Sequence, residues 1–131
     1  MSFRIIQFEN LPIIIKKYDN NISLSFKNAL IKKTMEDAEE KTLWEQDGSI
    51  EIINISQYHE DIVNDTIKSI SISYDFYTYK NILMLPFSKK GDLLIEIEFI
   101  NNNSKVNIAC SEIDILMLGN PKYIKHIKKT E

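Results

Sequence analysis

Apolar and polar positions alternate most regularly between Asp92 and Ser111. Leu93, Ile95, Ile97 and Phe99 alternate with Glu96 and Glu98, and Val106, Ile108 and Cys110 repeat the period after Asn101-Asn102-Asn103. A period of two marks a strand with one buried face, and two such runs joined by turn-forming residues predict a β-hairpin. Ile70, Ile72, Tyr74 and Phe76 alternate in the same way with Ser69, Ser71, Ser73 and Asp75, which predicts another strand with Tyr77 and Tyr79 on its opposite face.

Shorter runs extend the pattern. Phe3 to Phe8 and Leu11 to Lys17 read as strands, and Asn20-Asn21 is a turn signal before Ile22, Leu24 and Phe26. Asp47-Gly48 is a turn dipeptide. Ile50, Ile52 and Ile55 follow it, and Ile53 breaks the alternation as a bulge or a strand buried on both faces would. Ile82 to Leu85 predicts a strand stopped by Pro86, with Ser88-Lys89-Lys90-Gly91 turning into the hairpin. Glu112 to Leu118 is the last strand, ended by Gly119-Asn120-Pro121. Residues 34–46 read either as a short helix capped by Thr34, with Asp37 in its first turn, or as a charged strand pair. Tyr58 to Asp65 is polar, a loop or short helix. In the tail, Tyr123, Ile124 and Ile127 fit one face of a short C-terminal helical turn. The fold class this predicts is mostly β: one domain over residues 1–131, an antiparallel β-sandwich or barrel of about eight strands.

Composition agrees with that reading. Hydrophobic residues make up 44% of the 131 residues, and isoleucine, the most frequent of them, favours pleated surfaces over helices. With three glycines and three prolines, most turns fall to Asn, Asp and Ser, which tolerate left-handed backbone or bond to their own main chain. Abundant Ile, Lys and Asn with a single arginine, Arg4, is what an AT-rich bacterial genome tends to encode. The one cysteine, Cys110, cannot form an internal disulfide and shares a strand face with Val106 and Ile108, which predicts an inert buried thiol. The start lacks the apolar stretch of a signal peptide, and no run approaches membrane-span length. The expectation is a soluble protein of a reducing compartment, most simply the cytoplasm, with no membrane association.

Charge carries most of the functional content. The net charge of −3 hides an acidic stretch containing Glu36, Asp37, Glu39, Glu40, Glu45, Asp47, Glu51, Glu60, Asp61 and Asp65 against one lysine, Lys41. If it forms one surface, it repels nucleic acid and steers basic partners. The lysine pairs elsewhere lack the arginines and interleaved aromatics of a nucleic-acid face, so no nucleic-acid partner is predicted.

Motifs for catalysis are sparse. His59-Glu60-Asp61 are adjacent rather than at the spacing of a metal site, and a solvated loop is the commoner origin of such a run. His126 lies among tail lysines. No serine sits in a nucleophile elbow, the glycines stand alone in separate turns, and Glu96 and Glu98 are spaced as on any solvated strand face. Neither cofactor nor metal is predicted, and the chain does not read as an enzyme.

The favoured function is a small non-catalytic binding protein, of inhibitor or immunity type. It would recognise a basic protein through Glu36, Asp37, Glu39, Glu40 and Glu45, with Trp44 and Tyr58 as aromatic anchors. The alternative is a small-ligand or carbohydrate-binding domain using Tyr77 and Tyr79. An enzyme using His59 with Glu60 or Asp61 is the third. An exposed sheet edge near Ile82 to Leu85 would also permit a homodimer.

Overall fold

The computed structural model describes residues 3–34, 41–58 and 63–127, and almost all of them are in strands. In chain order these are β1 (Phe3–Gln7), β2 (Pro12–Tyr18), β3 (Asn21–Thr34), β4 (Lys41–Tyr58), β5 (Asp65–Tyr74), β6 (Tyr77–Lys80), β7 (Ile82–Leu85), β8 (Ser88–Phe99) and β9 (Lys105–Ile127). They form one antiparallel sheet of nine strands, ordered β2-β5-β8-β9-β4-β3-β1-β7, with β6 on β5. The mostly-β class read from the periodicity is thus the observed one. β2 also pairs with β3, and it meets β5 only through Pro12↔Thr66 and Ile13↔Asp65. The sheet therefore curls around its inner face through a two-residue bridge rather than closing as a regular barrel.

That inner face holds the core. Phe8, Leu24, Ile50, Ile52, Ile67, Ile95, Ile97, Ile108 and Ile113 have no exposed surface, and isoleucine supplies more than half of the buried apolar residues among those described. Branching at Cβ limits side-chain rotamers and fits the pleat, so this composition packs a curled sheet at little entropic cost. The hairpin read from the sequence is present in register, with Leu93↔Cys110, Ile95↔Ile108 and Ile97↔Val106 on the buried face and Glu96↔Asn107 and Glu98↔Lys105 outside. Ion pairing of Glu96 with Lys105 accounts for that carboxylate.

Turn chemistry follows the asparagine-rich reading. Every non-glycine residue with positive φ among those described is Asn or Asp: Asn10, Asp19, Asn28, Asn54, Asp75, Asn81 and Asn103. Their short polar side chains relieve the left-handed conformation that penalises other L-residues. Asp19-Asn20 closes the β2–β3 hairpin between Tyr18 and Asn21. Asn28 and Asn54 lie inside strands, and Asn28 sits where the β3–β4 register slips between Phe26 and Ala29.

Several boundaries differ from the sequence reading, each for a pairing reason. No helix occurs among the described residues. Lys41–Gln46 is strand, clamped between β3 and β9, and residues 35–40 lie outside the described set. The tail through Tyr123, Ile124 and Ile127 continues β9 instead of coiling, because β4 extends far enough to pair with it. Gly119-Asn120-Pro121 does not end that strand: the three residues bulge opposite Gln46, between the pairs Asp47↔Leu118 and Glu45↔Lys122. Ser88 to Gly91 belongs to β8, not to a turn. Phe76 is not on a buried face but in the two-residue turn after Tyr74, fully exposed. Asp47-Gly48 is not a turn either. Gly48 lies mid-strand under Phe26, where a Cβ would stand 2.8 Å from Phe26 Cζ and collide with the Leu116 carbonyl oxygen. β7 is the sheet edge expected from the sequence, pairing with β1 on one side.

Asp65 belongs to the acidic stretch by sequence but to the fold by position. It is buried, and it accepts hydrogen bonds from the backbone N–H of Asn101 (3.0 Å), the backbone N–H of Asn102 (2.9 Å) and the Asn102 side-chain amide (2.6 Å), tying β5 to the β8–β9 turn. Burial works to raise its pKa, but these bonds and one from Thr66 N–H outweigh it and hold the carboxyl at about 2, below its ordinary 3.8.

Gly48→Ala is expected to lower unfolding stability by about 1–3 kcal/mol through overpacking against Phe26, read from urea denaturation at unchanged m-value. Asp65 is held ionised below its unfolded-state pKa, so its contribution is complete above about pH 4 and is lost as pH falls towards 2. An Asp65→Asn variant should be less stable than the parent at neutral pH. The gap between their stabilities should narrow across that window in denaturation curves recorded at stepped pH.

Candidate functional site

Strand parity carries the core face outward to one end of the sheet, where its chemistry changes. The row Leu83–Ile6–Ile31–Trp44–Tyr123 runs across β7, β1, β3, β4 and β9 in direct register, and the next row outward is Leu85–Arg4–Lys33–Thr42–His126. Arg4 and Lys33 each lie two residues beyond an inward isoleucine, Ile6 and Ile31, so they share its face. Ile6 and Ile31 are buried, whereas Arg4 and Lys33 are half-buried at the rim.

A cleft of about 370 Å³ opens at this rim, walled by Arg4, Lys33, Trp44 and Gln46 and floored by Ile31 and Leu85, with Phe3, Pro86 and Pro121 at its edges. Trp44 is fixed on two sides. Its Nε1–H donates to Thr42 Oγ1 at 2.8 Å, and its ring meets Tyr123 edge-on with centroids 5.3 Å apart. Gln46 is 7% exposed, and its Nε2 donates to the carbonyl oxygen of Gly119 at 2.9 Å, made available by the β9 bulge. That bond orients the amide and leaves Oε1 buried without a partner. The ion pairs among the described residues, Lys90–Glu112 and Lys105–Glu96, lie on β8 and β9, and neither Arg4 nor Lys33 pairs with a described carboxylate.

The residues singled out from the sequence are distributed differently. Glu36, Asp37, Glu39 and Glu40 lie outside the described residues, as do His59, Glu60, Asp61 and the side chain of Tyr58. Trp44 and Glu45 are consecutive on β4 and face opposite sides of the sheet, so Trp44 stands in a cleft whose described charges are cationic, away from Glu45. Of the described carboxylates of the acidic stretch, Glu45, Asp47 and Glu51 lie at alternate positions on the outer face of β4, whereas Asp65 is buried on β5. Asp47 accepts the Asn28 N–H at 2.9 Å, Glu51 accepts the hydroxyls of Ser23 and Tyr18, and Asp65 is buried under the asparagine turn. The hydrogen bond to Glu51, followed by the charge of that carboxylate, raises the Tyr18 pKa.

Tyr77 and Tyr79 are not an exposed pair. Tyr77 is exposed, but Tyr79 packs edge-on against Phe87 with centroids 5.1 Å apart. Arg4, Lys33 and Gln46 were not read from the sequence as site residues. A lone arginine two positions before an apolar alternation is the one signal that could have flagged the first. No group of three His, Cys, Asp or Glu that could hold a metal occurs among the described residues. No protein-family model, curated protein or solved structure matches the chain, so the chemistry of the cleft stands on its own geometry.

Cys110 lies far from this constellation in function: burial pushes its thiol pKa up, against a smaller opposing effect of the Glu112 backbone N–H. Iodoacetamide should therefore modify it much more slowly in the native protein than in urea-unfolded chain, as followed by mass spectrometry.

Proposed function

We propose that this protein is a non-catalytic binding domain whose cleft beside Trp44 receives a small organic ligand. The observation that carries the reading is the buried, unpartnered Oε1 of Gln46, a residue that lines the cleft together with a half-buried indole. An unsatisfied buried acceptor costs about 1–3 kcal/mol, which a donor on a ligand would relieve. The volume is within the range of about 300–1,000 Å³ common for ligand pockets, and the mix of apolar floor with a few convergent polar groups is of the same kind. Recognition of a basic protein by the acidic residues 36–40 draws its support from sequence charge. Trp44, the anchor proposed for it, lines the cleft.

Because Trp44 is the only tryptophan, its indole N–H resonance reports on the cleft alone. Titration with p-cresol and with hydroxyphenylacetate isomers should shift that resonance saturably while leaving Tyr77 unchanged. A Trp44→Leu variant with intact dispersion of the core methyl signals should lose the affinity by about tenfold, on the order of a buried aromatic contact. Absence of any saturable shift at Trp44 would remove the support for a binding cleft.

A further inference from the structure

The charges on the cleft identify what it selects. Arg4 and Lys33 are direct cross-strand neighbours on β1 and β3, facing the same side. Like charges placed opposite one another on a sheet repel, and among the described residues no carboxylate pairs with either of them. They lie at the boundary of the apolar core, with Ile31 and Leu85 beneath, so the field of both cations is less screened than on an open surface. Trp44 stands between them and Gln46, which pairs with Ala29 one row further in; its amide oxygen is buried and lacks a donor, while its nitrogen donates to the Gly119 carbonyl. Two cations without a partner among the described carboxylates, one acceptor without a donor and an indole wall are complementary to one chemical class.

We infer that the ligand is an aromatic carboxylate carrying a hydroxyl or N–H donor. Its carboxylate is held by Arg4 and Lys33, its donor by Gln46 Oε1, and its ring by Trp44. Guanidinium and ammonium divide the work according to their shapes. The planar fork of Arg4 matches both carboxylate oxygens, while Lys33 adds a point charge that also attracts the anion from a distance. The inference rests on the cleft reading above and narrows it to a ligand class. The same chemistry occurs in a free aromatic acid and in the terminal carboxylate of a protein ending in an aromatic residue.

The experiment compares five probes by chemical-shift titration at Trp44. They are 3- and 4-hydroxyphenylacetate, the methyl ester of the better isomer, phenylacetate, and N-acetyl-phenylalanine as the mimic of a chain terminus. The better hydroxy acid should bind about tenfold or more tightly than its ester, the scale of one charge-assisted hydrogen bond. It should exceed phenylacetate by about threefold to tenfold, the scale of one neutral hydrogen bond. In the double variant Arg4→Gln, Lys33→Gln the preference for acid over ester should disappear, with affinity for the ester retained as the control for an intact cleft.

Equal binding of acid and ester by the native protein would overturn the anion assignment and leave the cleft reading standing. Phenylacetate binding as tightly as both hydroxy acids would overturn the role of Gln46. Failure of every probe, ester included, would overturn both readings. N-acetyl-phenylalanine binding more tightly than the hydroxy acids would identify a chain terminus as the source, and the reverse order a free acid.

Discussion

The ladder between β4 and β9 is the constraint on which the rest of the structure depends. It pairs Lys41 with Ile127 at one end and Tyr58 with Ile108 at the other, and every other strand joins the sheet through one of its two sides. Backbone N–H and C=O groups of so long a pair must be satisfied together, so residues with weak strand preference are drawn into it. That is why a charged segment, Lys41 to Gln46, and a basic tail, Lys122 to Ile127, become strands. Neither would be expected to do so alone, since an isolated pair of strands is marginal in water.

The ladder is also interrupted, and its interruptions build the site. One slip falls between Leu43 and Trp44, another between Glu45 and Asp47, where Gly119, Asn120 and Pro121 bulge from β9. The bulge releases a carbonyl from the ladder, and the Gln46 amide takes it up. Trp44 is left facing Tyr123 and Thr42 at the place where the core face runs out. A polar group stranded by a bulge at the edge of an apolar surface is a common way for an all-β scaffold to make a cleft without a long loop.

Stability and the site make opposite demands on that rim. Where the face stays apolar, Ile6 and Ile31 are fully covered; two residues further out, Arg4 and Lys33 stand opposite each other with no described carboxylate paired to either, and Gln46 keeps an unpartnered oxygen. Consistency between local pattern and packing weakens among the described residues of this rim, as it commonly does where natural proteins bind. By contrast Asp65, a buried acid at the start of β5, is fully employed by the turn it holds and needs no further explanation.

Alternation alone determined the class of fold, the central hairpin, the buried thiol and the inward faces of β8, of β3 as far as Phe26, of β5 at Ile70 and Ile72 and of β9 as far as Cys110, because a period of two has one physical meaning once a face is buried. Asparagine and aspartate determined the turns for a similarly local reason, their tolerance of positive φ. Only the tertiary structure decided where parity changes. Asn28 shifts β3 by one residue, so the inward set passes from Ile22, Leu24 and Phe26 to Ala29, Ile31 and Lys33, and nothing in the local sequence distinguishes that lysine from its outward neighbour Lys32. Likewise Gly48 and Gly119 read as turn residues by themselves. In the fold one is the gap under Phe26 and the other part of a bulge, since a partner strand, and not the residue's own preference, sets the conformation when every backbone group must find a mate.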